Sequence, residues 1–140
     1  VSILKTKGPT LGRRVISRKT SDEMLSMLES VVKEGTAKHA KVNGYRVAGK
    51  TGTSKKLGAD GKYESNYIGS FVGIAPVSSP KFVIAVMIDG PSIDSYYGGT
   101  VAGPVFSTLM AEALKIYSIP QDGLIESDEL KREAKPDSII

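Results

Sequence analysis

The chain has 140 residues, a length typical of one domain, and its composition of 40% hydrophobic and 24% charged residues is typical of a folded protein with a core. It contains no cysteine and a single histidine, His39. This excludes a disulfide scaffold, a thiolate metal site, a cysteine nucleophile and a histidine-rich metal site, and we expect neither a metal nor a cofactor. No apolar run approaches the roughly 18 residues that a membrane-spanning helix needs.

The net charge of +4 is unevenly distributed along the chain. Residues 121–140 carry a net charge of −3, whereas residues 1–120 carry +7. A basic body can serve nucleic acid, a membrane surface or a carboxylate-bearing substrate. The basic residues are scattered and are not interleaved with aromatic ones, so we expect no nucleic-acid partner.

The first predicted helix follows a mixed segment, residues 1–19. The four residues from Thr20 to Glu23 match a capping box, in which the first and fourth side chains bond to each other's backbone amides. Apolar residues then recur at helical spacing, namely Met24, Leu25, Leu28, Val31 and Val32. Gly35 predicts the end of the helix, because glycine takes the left-handed conformation that often closes one. The pattern predicts an amphipathic helix of about four turns.

Three strand-like runs come next. Residues 45–53 alternate, and residues 67–74 and 82–89 are rich in β-branched and aromatic side chains. A loop rich in lysine and glycine, residues 54–61, separates the first two runs, and a short connection, residues 76–80, separates the last two. Short connections favour an antiparallel meander, because parallel crossovers need a dozen or more residues.

Residues 101–117 form the last regular pattern, an apolar helix. The predicted fold class is therefore α+β, an antiparallel three-strand meander flanked by helices. Residues 1–120 are predicted to form one lobe, and residues 121–140 a charged, flexible tail. Three strands and two helices make a thin core with two unpaired sheet edges, so we expect the chain to be part of a larger domain.

Two motif matches conflict with their surroundings. The segment from Gly44 to Thr51 fits the phosphate-loop pattern G-x4-G-K-[ST], which must follow a buried strand and open a helix. Polar residues precede it and no helical period follows, so a nucleotide-binding protein is kept only as an alternative function. Ser30 and Lys33 fit the S-x-x-K pattern of penicillin-recognising enzymes, but they lie within the predicted helix, where we expect a solvated face.

The third match, Lys50-Thr51-Gly52-Thr53, lies within a strand pattern that suits it. An edge strand that faces a cleft can offer an ammonium group, a hydroxyl and backbone amides in fixed register. Gly52 would let a substrate backbone approach closely. The Thr53 amide can donate to a developing oxyanion, and the Thr51 hydroxyl to a carboxylate.

Five sequence blocks in one order resemble class B penicillin-binding proteins, in particular the cell-division (septal) peptidoglycan D,D-transpeptidase. The blocks are residues 44–53, 67–76, 86–89, 96–99 and 102–106, within a resemblance that extends over about residues 3–118. The resemblance implies part of the penicillin-binding/serine β-lactamase-like transpeptidase fold. It implies an enzyme that cross-links peptidoglycan stem peptides through a serine acyl-enzyme and that β-lactams acylate at the same serine.

The resemblance also implies roles for six residues. Lys50 would support proton transfer and the positive field, and Thr51 would bind the carboxylate of the substrate or β-lactam. Gly52 would contact the substrate, and the Thr53 main chain would form half of the oxyanion hole. Tyr96 and Tyr97 would form an aromatic wall beside the acyl group.

The family's nucleophile motif and its S-x-N motif should precede Lys50, yet no S-x-N occurs here and only 49 residues come before that lysine. We therefore expect no nucleophile on this chain, no activity of the chain alone, and the upstream half of the same enzyme as a partner. The other implied partners are D-Ala-D-Ala stem peptides, β-lactams and cell-division envelope proteins. The implied location is extracytoplasmic, on a parent protein anchored in the inner membrane. A non-catalytic cell-envelope interaction module is the remaining alternative.

Overall fold

The computed structural model describes residues 12–91 and 95–123. Its elements, in chain order, are helix α1 (Arg18–Lys33), a 3-10 turn (Lys38–Ala40), strands β1 (Ala48–Leu57), β2 (Tyr63–Ala75) and β3 (Phe82–Asp89), and helices α2 (Gly98–Val101) and α3 (Gly103–Ile116). The strands form one antiparallel sheet in the order β1-β2-β3. The predicted α+β meander with flanking helices is confirmed.

The N-cap of helix α1 lies three residues before Thr20, the first residue of the predicted capping box. Ser17 is the N-cap, and its hydroxyl accepts from the Thr20 amide at 3.0 Å. The predicted box was wrong because Ser17 offers the same hydroxyl chemistry one turn earlier. The helix ends at Lys33, close to the predicted stop, but the predicted reason was also wrong, since Gly35 does not have a positive φ. A Cβ at Gly35 would lie 2.9 Å from the backbone of Val31, so close approach explains the glycine.

Strand β1 is displaced toward the C-terminus from its predicted position. It starts at Ala48, because the chain before it turns where the Tyr45 amide bonds to the Val42 carbonyl at 3.1 Å. It continues to Leu57 through most of the predicted loop, and only residues 58–62 connect it to β2. Pairing with the long strand β2 keeps these polar residues within the sheet. The Lys56 ammonium also crosses β2 and lies 2.9 Å from the Asp89 carboxylate of β3.

The core lies between the sheet and α3. Phe71 of β2 meets Phe106 of α3 edge to face, with ring centroids 4.7 Å apart and planes at 73°. Both rings are completely buried, as are Met110 and Leu114 on the same helix. Cross-strand pairing puts Thr51 of β1 opposite Phe71, so the packed face of the sheet is also the face that carries the Thr51 side chain.

A junction of charged side chains around one buried carboxylate joins α1 to the chain just before β1. The Arg46 guanidinium donates to both carboxylate oxygens of Glu29, at 2.8 and 2.7 Å, and Lys33 lies 3.3 Å from the same carboxylate. Glu29 is only 4% exposed. These hydrogen bonds, led by those of Arg46, lower the pKa of Glu29 below its ordinary value although burial opposes the shift.

Asp122 completes this junction from the other end of the chain. It is buried, and it accepts from the Arg46 amide at 2.7 Å and from the Ser78 amide at 3.1 Å. The Gly123 amide in turn bonds to the Gly44 carbonyl at 3.1 Å. The packed lobe thus continues at least to Gly123, three residues beyond the predicted boundary. The rest of the predicted tail, residues 124–140, lies outside the described residues.

We expect Glu29→Gln to lower the free energy of unfolding by about 2 kcal/mol at pH 7, because it weakens hydrogen bonds to a charged group and leaves Arg46 without its main counter-charge. A carboxylate whose pKa is lowered by folding stabilises the protein above its unfolded pKa, near 4.5, and loses that contribution as pH falls through the folded value. Urea unfolding between pH 7 and pH 3 should therefore show a flatter acid limb for Glu29→Gln than for the parent. Glu112→Gln, at an exposed position of α3, is the control. An acid limb as steep in Glu29→Gln as in Glu112→Gln would contradict the assignment.

Candidate functional site

The Lys50-Thr51-Gly52-Thr53 motif lies within β1, an edge strand of the sheet. Because side chains alternate along a strand, Lys50 points to one face, and Thr51 and Thr53 to the other. Lys50 is exposed, and its ammonium bends back to the Thr51 carbonyl, with 2.9 Å between Nζ and O. The motif therefore presents an ammonium group and two hydroxyls around one strand edge.

Both threonine hydroxyls have protein partners on the packed face. The Thr51 hydroxyl lies 3.2 Å from the hydroxyl of Thr36, in the turn after α1. The Thr53 hydroxyl accepts from the Gly98 amide at 3.1 Å. Thr51 is half-buried and Thr53 is exposed, so these bonds fix the two hydroxyls without removing them from the surface.

Gly52 lies opposite Ser70 of β2, on the face of the sheet that carries Lys50, and an added Cβ would lie 2.5 Å from the Ser70 hydroxyl oxygen. That hydroxyl can rotate to another rotamer, so this contact alone does not require glycine. Gly98 is different, because its Cβ would collide with the backbone carbonyls of Ser70 and Gly52. The start of α2 therefore rests directly on the backbone of β1 and β2, and this packing requires glycine at position 98.

Tyr96 and Tyr97 belong to a stack of three tyrosines. Tyr96 lies parallel to Tyr67 of β2, with centroids 4.1 Å apart and planes at 12°, and its centroid is 4.7 Å from that of Tyr97. The hydrogen bond with Tyr97 raises the pKa of the Tyr96 hydroxyl above its ordinary value. Tyr97 is 60% exposed and forms the outer ring. Tyr67 was not among the predicted site residues, because the sequence identifies it only as a strand residue and only the fold brings Tyr96 onto it.

The two other motif matches stay apart from this arrangement. Gly44 has φ +79° in the turn before β1, and Lys50 and Thr51 lie inside a strand, not at the start of a helix. The nucleotide-binding alternative is therefore not supported. Ser30 is exposed, as predicted, and donates to the Ser26 carbonyl of its own helix at 3.3 Å. Lys33 is not simply solvated as predicted, because it is half-buried and pairs with the buried carboxylate of Glu29.

The family model of the penicillin-binding protein transpeptidase domain matches residues 1–111 of this chain. The chain belongs to this family. It is 40% identical over 130 residues to the peptidoglycan D,D-transpeptidase FtsI of Escherichia coli K12, covering 92% of this chain and 22% of the relative. It is 46% identical over 112 residues to stage V sporulation protein D of Bacillus subtilis, covering 79% of this chain and 17% of the relative.

Solved structures agree with the family assignment. The transpeptidase domain of penicillin-binding protein 3 from Burkholderia pseudomallei aligns with a TM-score of 0.73 and 42% identity, over 85% of this chain and 36% of that one. The resemblance inferred from the five sequence blocks and the partial transpeptidase fold are thus confirmed. The chain spans about a fifth of the length of the curated relatives it matches. Within residues 12–91 and 95–123, no helix has the length and apolar character required to cross a membrane.

We expect Gly98→Ala to lower the free energy of unfolding by about 1–3 kcal/mol, the usual cost of forcing an extra methyl group into a packed site. The new Cβ meets backbone atoms of β1 and β2, which cannot rotate away as a side chain could. Gly12→Ala is the matched control, because nothing lies within 4 Å of its added Cβ. Urea midpoints of the two variants measure the difference, and equal midpoints would show that α2 does not rest on the sheet as described.

Proposed function

We propose that this protein contributes the Lys-Thr-Gly-Thr strand and the aromatic wall of a serine-type peptidoglycan D,D-transpeptidase. The observation that carries the proposal is the edge-strand position of Lys50, Thr51 and Thr53 in a member of the penicillin-binding protein transpeptidase family. The attacking serine comes from outside these 140 residues, so the chain by itself is inactive.

The proposed chemistry is acyl transfer in two steps. The serine attacks the carbonyl carbon between the two D-Ala residues of a stem peptide, and the electron pair of the carbonyl moves to its oxygen. That oxygen receives a hydrogen bond from the Thr53 amide beside Gly52. The carbonyl then re-forms as the peptide C–N bond breaks, and the proton that the serine hydroxyl gave up leaves on the amine of the terminal D-Ala. An amine of a second stem peptide attacks the acyl-enzyme carbonyl, the ester C–O bond breaks, and the proton lost by that amine returns to the serine oxygen, which forms the cross-link and frees the serine.

Two side chains bind and polarise the reacting groups. The Thr51 hydroxyl donates to the terminal carboxylate of the donor stem peptide, and the Lys50 ammonium supplies positive charge and supports proton transfer. A β-lactam carries a carboxylate and a reactive carbonyl in a similar arrangement, so it acylates the same serine. Tyr97 provides an exposed ring against which the acyl group can pack.

The proposed partner within the enzyme is its upstream half. Alternation along the sheet puts Lys50 on the same face as the exposed apolar side chains Val72, Val83 and Met87. Apolar surface of this kind usually packs against another element, and the upstream half also supplies the serine. By its family we assign the parent protein to the extracytoplasmic side of the inner membrane, with cell-division envelope proteins as further partners.

We expect Lys50→Ala, in the full-length enzyme, to slow labelling by a fluorescent penicillin about 100-fold, because a positioned proton-transfer group contributes on that scale. The control is Lys55→Ala, which removes the same charge from an exposed position five residues further along β1. Gel fluorescence over time measures the rate constant. Undiminished labelling of a folded Lys50→Ala enzyme would defeat the proposal.

We expect Tyr97→Ala to lower the second-order rate constant of the same reaction roughly two- to tenfold, since an aromatic contact contributes roughly 0.5–1.5 kcal/mol. The ring is exposed, so the melting temperature should change little. Tyr63→Ala, at the 73% exposed start of β2, is the matched control and should keep the parent rate. A parallel fall in both variants would point to a general effect of lost tyrosine surface.

A further inference from the structure

Thr36 lies beside the Lys-Thr-Gly-Thr strand, although it is 15 residues away in sequence and belongs to none of the five sequence blocks. Its hydroxyl oxygen is 3.2 Å from that of Thr51. We propose that Thr36 is a positioning residue that turns the Thr51 hydroxyl proton toward the carboxylate of the bound substrate or β-lactam. This inference rests on the proposed function and names a second hydroxyl that the carboxylate site requires.

The backbone at Thr36 is held from two sides. The next amide, that of buried Ala37, donates to the Val31 carbonyl at 3.1 Å and ties the turn to α1. On the other side Gly99 of α2 lies so close that an added Cβ would collide with the Thr36 carbonyl oxygen and would lie 3.2 Å from the Thr51 methyl group. The position of Thr36 relative to β1 is thus set by packed backbone.

The chemistry of a hydroxyl gives this contact its direction. Each hydroxyl has one proton to donate and two lone pairs that accept. When Thr36 donates to Thr51, the Thr51 proton must point to a different acceptor, and a carboxylate is a strong one. Successive hydrogen bonds in such a chain also polarise and strengthen each other.

Thr53 has the same arrangement, which supports this direction. Its hydroxyl oxygen accepts from the Gly98 amide, a group that can only donate, so its own proton is left for another acceptor. Thr51 and Thr53 lie two residues apart on one face of β1. With Thr36 as donor, both hydroxyls have an acceptor position filled by the protein and direct their protons outward, as the recognition of an anion requires.

The test is the second-order rate constant of acylation of the full-length enzyme by a fluorescent penicillin. Thr36→Val keeps the shape and removes the hydroxyl, and we expect the rate to fall roughly three- to tenfold, the range for one hydrogen bond. Thr36→Ser restores the hydroxyl and should stay within about twofold of the parent. Thr108→Val is the control, since it removes a threonine hydroxyl that bonds to Pro104 within α3.

A double variant separates positioning from a general structural effect. If Thr36 acts through Thr51, Thr36→Val should add nothing to the loss caused by Thr51→Val. Independent, multiplying losses would overturn the inference, and so would a parent-like Thr36→Val enzyme whose Thr51→Val counterpart is impaired. A parent-like Thr51→Val enzyme would instead defeat the proposed carboxylate site itself, and this inference with it. Thr36→Ala replaces Thr36→Val throughout if the melting temperature shows that the valine variant does not fold.

Discussion

Backbone contact between the start of α2 and the edge of the sheet is the constraint on which the candidate site depends. Gly98 and Gly99 lie where any side chain would collide with the backbone of Gly52, Ser70 or Thr36. Such contacts join peptide groups directly, and peptide groups have no rotamers by which they could adjust. The layer of α2 therefore sets where the Thr53 hydroxyl, the turn at Thr36 and the tyrosines before Gly98 lie relative to one another.

A second constraint fixes where β1 starts. Arg46 is bonded through its side chain to Glu29 on α1 and through its amide to Asp122, so one residue joins three distant parts of the chain. A planar guanidinium binds both carboxylate oxygens in fixed geometry, which a lysine at this position could not do. Because only one residue, Val47, separates Arg46 from β1, the junction limits how far the strand can slide along β2. The register that puts Thr51 opposite Phe71 follows from both the core and this junction.

The sequence predicted the features that local patterns encode. The bounds of β3, the antiparallel order, the length of α1 and the position of Lys50 in a strand all follow from alternation, helical spacing and short connections. The errors arise where a distant residue decides the outcome. The late start of β1 depends on Asp122, which binds the Arg46 amide but which composition places in a charged tail. The extension of β1 at its other end depends on the length of its partner strand.

The candidate site also combines features that a local pattern predicts with features that depend on distant residues. Its reactive groups are contiguous, because one edge strand presents Lys50 on one face, Thr51 and Thr53 on the other, and main-chain groups between them. Such a motif is visible as four adjacent letters. The residues that contact its two threonine hydroxyls, Thr36 and Gly98, are distant in sequence from the motif. No sequence pattern marks either residue as part of a site, because their contacts form only when the chain folds. A hydroxyl acquires direction only from its neighbour, so the anion recognition proposed for this strand would be a property of the packed lobe and not of the motif alone.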